Sequence, residues 1–326
     1  MEKLPLVSIA LCTYNGERFL ARQLDSLIAQ TYKNIEIIAV DDCSGDDTVA
    51  ILSAYATDYP HIFIYSNENN VGFLKNFEKA LGYCNGEFIA LCDQDDLWDS
   101  RKIELQVAAM GNNQIVYHDS ELINDDGDAV GKKMSDIFNF YRGGQPEAFL
   151  FYNCISGHAM MIRRDLLKHA LPLQDIYYHD WWLAYVGANT GTVDFIPQCL
   201  VKYRQHNDSS TDLLRKNKVK KNKLNNLNKT NRLSFEKNWL EHCLNYPENK
   251  HPEFIKTLFE LYTNRFNSFT AFRYWQFLKK NIDVLFYIKK ESRAWKNREI
   301  RKYIWGMKGG NFWYTYLRPN PDKVVK

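Results

Sequence analysis

Along the first 120 residues, short apolar runs alternate with segments whose apolar positions recur every three or four residues. Residues 6–12 form an apolar run rich in β-formers, and residues 18–30 set Leu20, Leu24, Leu27 and Ile28 on one helical face. Ile35–Asp41 predicts a second buried strand, and Ser44-Gly45-Asp46-Asp47 supplies capping side chains ahead of a helix over residues 48–59. The alternation continues with strands at Ile62–Ser66, Phe88–Cys92 and 115–118, separated by helices at Phe73–Tyr83 and 100–110. Continuous apolar strands alternating with helices predict an α/β fold whose mostly parallel central sheet is covered on both faces. Ligands of such sheets bind beyond the carboxyl ends of the strands. Those ends here read Cys12-Thr13-Tyr14-Asn15, Asp41-Asp42-Cys43-Ser44 and Asp93-Gln94-Asp95-Asp96, so polar groups gather on one edge.

The pattern changes near Asp212. Residues 1–212 carry 16 Lys+Arg against 30 Asp+Glu, a balance of −14, and residues 213–326 carry 26 against 9, a balance of +17. This shift places a boundary close to Asp212, with an acidic part over 1–212 followed by a basic, aromatic-rich helical domain over 213–326. Residues 216–232 form a Lys/Asn-rich tract expected to be a linker or loop, and helices are expected over 252–269, 273–288 and 292–305. The basic region, with Trp239, Trp275, Trp295, Trp305 and Trp313, suits an anionic membrane surface or a lipid-linked acceptor. A plain helical domain that offsets the acidic half is the alternative, and no nucleic-acid motif appears. Seven scattered cysteines without a C-x-x-C pair read as reduced thiols. With no 18-residue apolar run and no secretory pattern, the expected location is cytoplasmic, peripheral at the inner face of the cell membrane.

The acidic cluster carries the chemistry. Three carboxylates within four residues repel one another and resist burial unless a cation accompanies them. Hard oxygen ligands suit Mg²⁺ or Mn²⁺, which would also neutralise a diphosphate. A solvated acidic turn is the alternative for the cluster alone.

Five motifs appear in order. Val7-Ser8-Ile9-Ala10-Leu11-Cys12-Thr13-Tyr14-Asn15-Gly16, the segment from Leu24 to Tyr32, Val40-Asp41-Asp42-Cys43-Ser44, Asn70-Val71-Gly72 with Asn76, and Asp93-Gln94-Asp95-Asp96 together resemble a family 2 glycosyltransferase of the GT-A fold over residues 5–210. The resemblance implies that residues 1–212 are a catalytic domain, with a nucleotide-sugar half at about 1–118 and an acceptor half at about 119–212. It implies too that Asp42, with Asp41 and the backbone near Thr13, Tyr14 and Asn15, reads the imide edge of uracil or thymine. Lys75 would reach the base or a phosphate, Asp93 the ribose or the metal's water shell, and Asp95 the metal itself. His179-Asp180-Trp181-Trp182 stands where relatives carry Glu-Asp, so Asp180 would be the base that deprotonates the acceptor hydroxyl. Gly157, His179 and Trp181 would shape the acceptor side, with the role of His179 open. In Tyr203-Arg204-Gln205-His206, His206 would complete the metal shell or touch the diphosphate, and Arg204 would belong to the nucleotide-sugar site. His118 and His158 are read as structural.

These motifs look most like bacterial rhamnosyltransferases of surface-polysaccharide assembly. Asn207-Asp208-Ser209-Ser210 departs from the Gly-x-Asn that many of them carry after the histidine. The implied activity is inverting, metal-dependent transfer from dTDP-rhamnose or a UDP-sugar to a hydroxyl of a growing lipopolysaccharide, O-antigen or capsule glycan. A catalytically inactive nucleotide-sugar-binding or scaffold protein is the alternative.

Overall fold

Residues buried on both faces form the centre of the sheet, and the chain winds outward from them. The computed structural model describes residues 4–174, 178–206 and 229–308, with side chains of the last segment from residue 233. Four parallel strands stand in the order β3 (Ile62–Ser66), β2 (Ile35–Asp41), β1 (Val7–Thr13) and β4 (Phe88–Cys92). β1, β2 and β4 are almost wholly buried, as their continuous apolar sequences require. Helices α1 (Glu17–Ile28), α2 (Thr48–Asp58) and α3 (Phe73–Tyr83) make the crossovers.

Past β4 the sheet departs from the expected parallel order. β8 (Met161–Arg163) lies antiparallel between β4 and β6 (Ile115–Ile123). β6 runs five residues beyond the strand expected at 115–118 and pairs in parallel with β9 (Val193–Arg204). The two-residue β5 (Leu97–Trp98) pairs antiparallel with β9, and β7 (Ala129–Lys133) with β6. The apolar pattern hides these additions for physical reasons. β5 and β8 are too short to show a period, and β9 carries Pro197 beside a register shift, where a missing N–H is tolerated.

Four helices complete what positions the site: α4 (Lys102–Met110), the single turns α5 (Met134–Ile137) and α6 (Leu167–Ala170), and α7 (His179–Thr190). Beyond them, Lys229–Leu244 is helical, so residues 229–232 of the expected linker open a helix. The remainder of that tract, Asp212, Asn207 to Ser210 and Trp313 lie outside the described residues. The helix expected over 252–269 ends at Asn264, and the one over 273–288 breaks at Asn281 into Phe272–Lys280 and Ile282–Leu285. The last is Arg293–Arg301, capped by Ser292 Oγ on the Trp295 N–H. One apolar cluster joins these helices to the sheet: Trp239, Leu240 and Cys243 share it with Phe149, Trp182 and Tyr185. No helix among the described residues is long and apolar enough to cross a membrane.

Candidate active site

The chain reverses its winding between β1 and β4, because β2 and β3 lie on one side of β1 and β4 on the other. A crevice opens at such a switch point, and both flanking strand ends carry motif residues. Gln94 spans the opening: its Oε1 accepts the Tyr14 N–H at 2.8 Å and its Nε2 donates to the Tyr14 carbonyl at 2.9 Å. A Cβ at Gly16 would lie 2.2 Å from Gln94 Oε1, so only glycine permits this approach. Asn15 adopts a left-handed φ of 46° and accepts the Gly45 N–H on its side chain, tying the β1 loop to the β2 loop.

The resulting cleft measures about 670 Å³ and is lined by Thr13, Tyr14, Asn15, Asp42, Asp93, Asp95 and His206 among others. Asp41 and Asp42 divide their work. Asp41 faces inward, taking the Thr13 hydroxyl and the Ser44 N–H and hydroxyl, and is not on the cleft wall. Asp42 accepts N–H groups from Asn67, Val71 and Gly72, each at 2.8 Å. A carboxylate offers about four acceptor positions, which leaves one free toward the cleft. Lys75 lies off the wall, its ammonium 3.5 Å from Glu78 and from the Leu173 carbonyl.

β9 brings the second half of the constellation back. Pairing of β5 with β9 aligns Arg204 beside the acidic loop, where its backbone N–H reaches Asp96 Oδ1 at 2.9 Å. The Arg204 guanidinium bonds the carbonyls of Asp95, Asn124 and Asp125 and covers the Phe19 ring, so it clamps loops and does not line the cleft. His206 Nε2 then sits 2.7 Å from Asp95 Oδ2. The residues expected to share a cation are in direct contact, 111 positions apart in sequence.

Under the acidic loop lies a second, buried polar layer. Asp93, Asp96 and His158 bring ligand-capable atoms within 4.8 Å of one another, a group that could bind a metal. The sequence reads His158 as structural, because the match to the acceptor side gives it no role of its own. Its ring stacks on Tyr203 at 4.1 Å, with Nε2 2.9 Å from Ser120 Oγ. Burial pushes its pKa down to about 3, with the Lys102 charge adding to the effect. Lys102 is itself fully buried, its ammonium 3.4 Å from the centre of the Trp98 ring, and burial pushes it down to about 7. Asp96 is raised well above the usual carboxylate range by burial and by its acidic neighbours Asp95 and Asp93.

Asp93 also lines an adjoining cavity of about 280 Å³, with Gly157, His179, Asp180, Trp181 and several aromatic side chains. Asp180 lies in the first turn of α7, whose N-cap is Tyr178, so it is not the capping residue. Burial pushes Asp180 up to about 7, against N–H groups of Trp181 and Gly157 that favour its charge. Asp93 rises to about 7 through burial and through Asp95 and Asp180. His179 stacks on Phe77 at 4.3 Å, and burial pushes it down to about 4. A Cβ at Gly157 would come within 2.9 Å of His179 Nε2, so that glycine admits the ring. Trp181 Nε1 donates to the Phe149 carbonyl at 2.5 Å, fixing the ring on the cavity wall.

The family profile named Glycosyl transferase family 2 matches residues 8–171. The chain belongs to that family. A glycosyltransferase of Haemophilus influenzae is 30% identical over 65% of this chain and 69% of its own length. The Escherichia coli UDP-Glc:alpha-D-GlcNAc-diphosphoundecaprenol beta-1,3-glucosyltransferase WfgD is 36% identical over 55% of this chain and 68% of its own. Staphylococcus aureus TarS residues 1–349, solved in complex with UDP-GlcNAc, superimposes with a TM-score of 0.58 at 17% identity, covering 96% of this chain and 93% of that one. That likeness shows a common GT-A fold. Arg18, Phe19, Phe73, Phe77 and Gln94 also line this family 2 enzyme's cleft, although sequence reasoning gave them no site role. The phenylalanines fall in segments expected only to be helical, and the close approach at Gly16 shows what Gln94 does.

Proposed function

We propose that this family 2 glycosyltransferase moves a sugar from a nucleoside diphosphate to a hydroxyl of a bacterial surface-glycan precursor, inverting the anomeric centre. One observation carries the reading. Asp93 forms part of the wall of both the cleft and the acceptor-side cavity, so donor and acceptor would meet at that carboxylate.

In this reading Asp42 accepts the imide N–H of the base with its remaining lone pair, and Thr13, Tyr14 and Asn15 flank the nucleoside. Asp95 and His206 hold the divalent cation, with Asp93 beside them. Their chemistry fits, since hard carboxylates and an imidazole suit Mg²⁺ or Mn²⁺, and Asp93 and Asp95 need a neighbouring positive charge. The bound cation would stabilise the departing diphosphate. Asp180 takes the proton from the acceptor hydroxyl as it attacks, with His179, Gly157 and Trp181 shaping the acceptor's approach. The buried Asp96 and His158 support the loop from below, because His158 is engaged by Ser120 and Asp96 by Arg204. Arg204 acts by the same logic, holding the Asp95 backbone. The names of WfgD and of the TarS complex favour a uridine donor over dTDP-rhamnose.

The test is release of UDP or dTDP across a panel of nucleotide sugars, with Mn²⁺, Mg²⁺ or EDTA. The expected result is metal-dependent release from one UDP-sugar, accelerated by a glycan acceptor. Turnover undiminished in EDTA would overturn the metal assignment, and donor binding without any turnover would favour a scaffold.

A further inference from the structure

Positive charge in the C-terminal third is unevenly placed. Residues 229–264 carry five Lys+Arg against five Asp+Glu, whereas residues 265–308 carry twelve against three. The two portions also face different surroundings. The neutral portion turns inward, with Trp239, Leu240, Cys243, Ile255 and Leu258 all at most 2% exposed. The basic portion holds Phe269, Phe272 and Trp305 at 63%, 51% and 53% exposure.

These three rings sit on a fixed frame. Backbone bonds join the segment 268–271 to 304–308, from Ala271 N–H to the Ile304 carbonyl at 2.7 Å and from Gly306 N–H to the Phe269 carbonyl at 2.9 Å. A Cβ at Gly306 would collide with the Ser268 carbonyl, so glycine lets the two segments close. Phe272 continues onto Trp275 with ring centres 5.1 Å apart, and Lys279 reaches over Trp275. Arg265 turns inward among Tyr262, Tyr274 and Tyr303, bracing the frame from behind.

We infer that this face, built on Phe269, Phe272 and Trp305 and flanked in sequence by Arg273, Lys279, Lys280, Arg301 and Lys308, docks onto an anionic lipid surface. Exposed aromatic rings beside flexible cations match the headgroup boundary, where rings enter the interface and ammonium groups meet lipid phosphates. Near such a surface each basic residue adds on the order of a fivefold gain in affinity. A second copy of this chain fits less well, because two such basic faces repel. The chain that follows the helix Phe272–Lys280 reaches the acceptor side. The Asn139 N–H bonds the Ile288 carbonyl and Lys290 Nζ bonds the Ser135 carbonyl, at the turn α5 and the residues after it, where Met134 and Phe138 line the cavity with Asp180.

This inference stands apart from the donor and base assignments, and its test uses neither. The full chain is floated with phosphatidylcholine vesicles and with vesicles containing roughly one third phosphatidylglycerol. The expected result is at least tenfold preference for the anionic vesicles, lost in high salt. F269S/F272S/W305S and K279E/K280E should each weaken binding about tenfold or more, while UDP-sugar binding in solution is unchanged. Equal flotation with neutral vesicles would overturn the inference, as would unaltered binding by both variants. A concentration-dependent dimer abolished by the aromatic variant, or RNA displacing the vesicles, would also overturn it by naming another partner.

Discussion

At Asp180 the sequence position and the physical environment point to the same chemistry. A carboxylate pushed up to about 7 by burial is poised to accept a proton near neutral pH, whereas one at its ordinary value would be a weaker base. Changing Asp180 to Asn keeps the shape and the N–H bonds of Gly157 and Trp181 but removes the basic lone pair. Transfer should fall by roughly two to four orders of magnitude, the scale of a lost general base, with UDP-sugar affinity within about twofold of the parent. The pH profile supplies the sharper check. In the parent, kcat/KM should rise through a group near pH 7, because the base is active only after losing its proton. In the Asn variant that rising limb should vanish. A limb that persists unchanged would assign it to another residue, with Asp93 the first candidate.

At the scale of elements, the acidic loop between β4 and β5 is where stability has been exchanged for function. Asp93 and Asp180 both have folded-state values near 7, above the ordinary aspartate value of about 3.9. Between about pH 4 and pH 7 the folded protein therefore binds more protons than the unfolded chain. The stability these two groups contribute is present at low pH and is lost as pH rises toward 7. A divalent cation held by Asp95 and His206 should restore it, and more strongly at pH 8 than at pH 5. Mn²⁺ at about a hundredfold over its dissociation constant should raise the melting temperature by on the order of 5 °C at pH 8. Asp93→Asn should melt higher than the parent at pH 8 without metal and show a smaller metal response. A metal-induced shift equal at both pH values would argue against this account. The same loop marks how far the sequence could be read. Asp95 and His206 were legible as partners because their motifs carry them, and the first four strands because each is a continuous apolar run. The clamp by Arg204, the amide bridge by Gln94 and the buried Lys102 and His158 were not. The clamp depends on β5 and β9 pairing, which a two-residue strand and a proline-interrupted strand conceal, and the bridge on the close approach at Gly16. Neither Lys102 nor His158 sits in a pattern that separates a buried polar residue from a solvated one.

Over the whole molecule, the charge boundary near Asp212 suggested two parts with separate tasks, and the packing joins them. The helix α7, which presents Asp180 at its start, is held along its length and at its far end by the C-terminal helices. Trp239 lies among Trp181, Trp182 and Tyr185 and donates its indole N–H to the Leu150 carbonyl at 3.0 Å. Lys250 Nζ bonds the carbonyls of Ala188 and Gly191, placing a cation at the C-terminus of α7, where the helix dipole favours it. The position of the candidate base thus depends on residues that follow the last motif residue, His206, by more than thirty positions. Trp239→Ala should cost about 3–5 kcal/mol, the usual range for deleting a buried tryptophan. Because one apolar cluster spans both regions, unfolding should stay a single cooperative transition at a lower temperature. Residues 1–212 alone would expose the Trp182 and Tyr185 face of α7 and should aggregate, failing to bind a UDP-sugar. If that fragment instead melted cooperatively and bound donor with parental affinity, the C-terminal helices would be an appendage, and α7 would owe its position to the sheet alone.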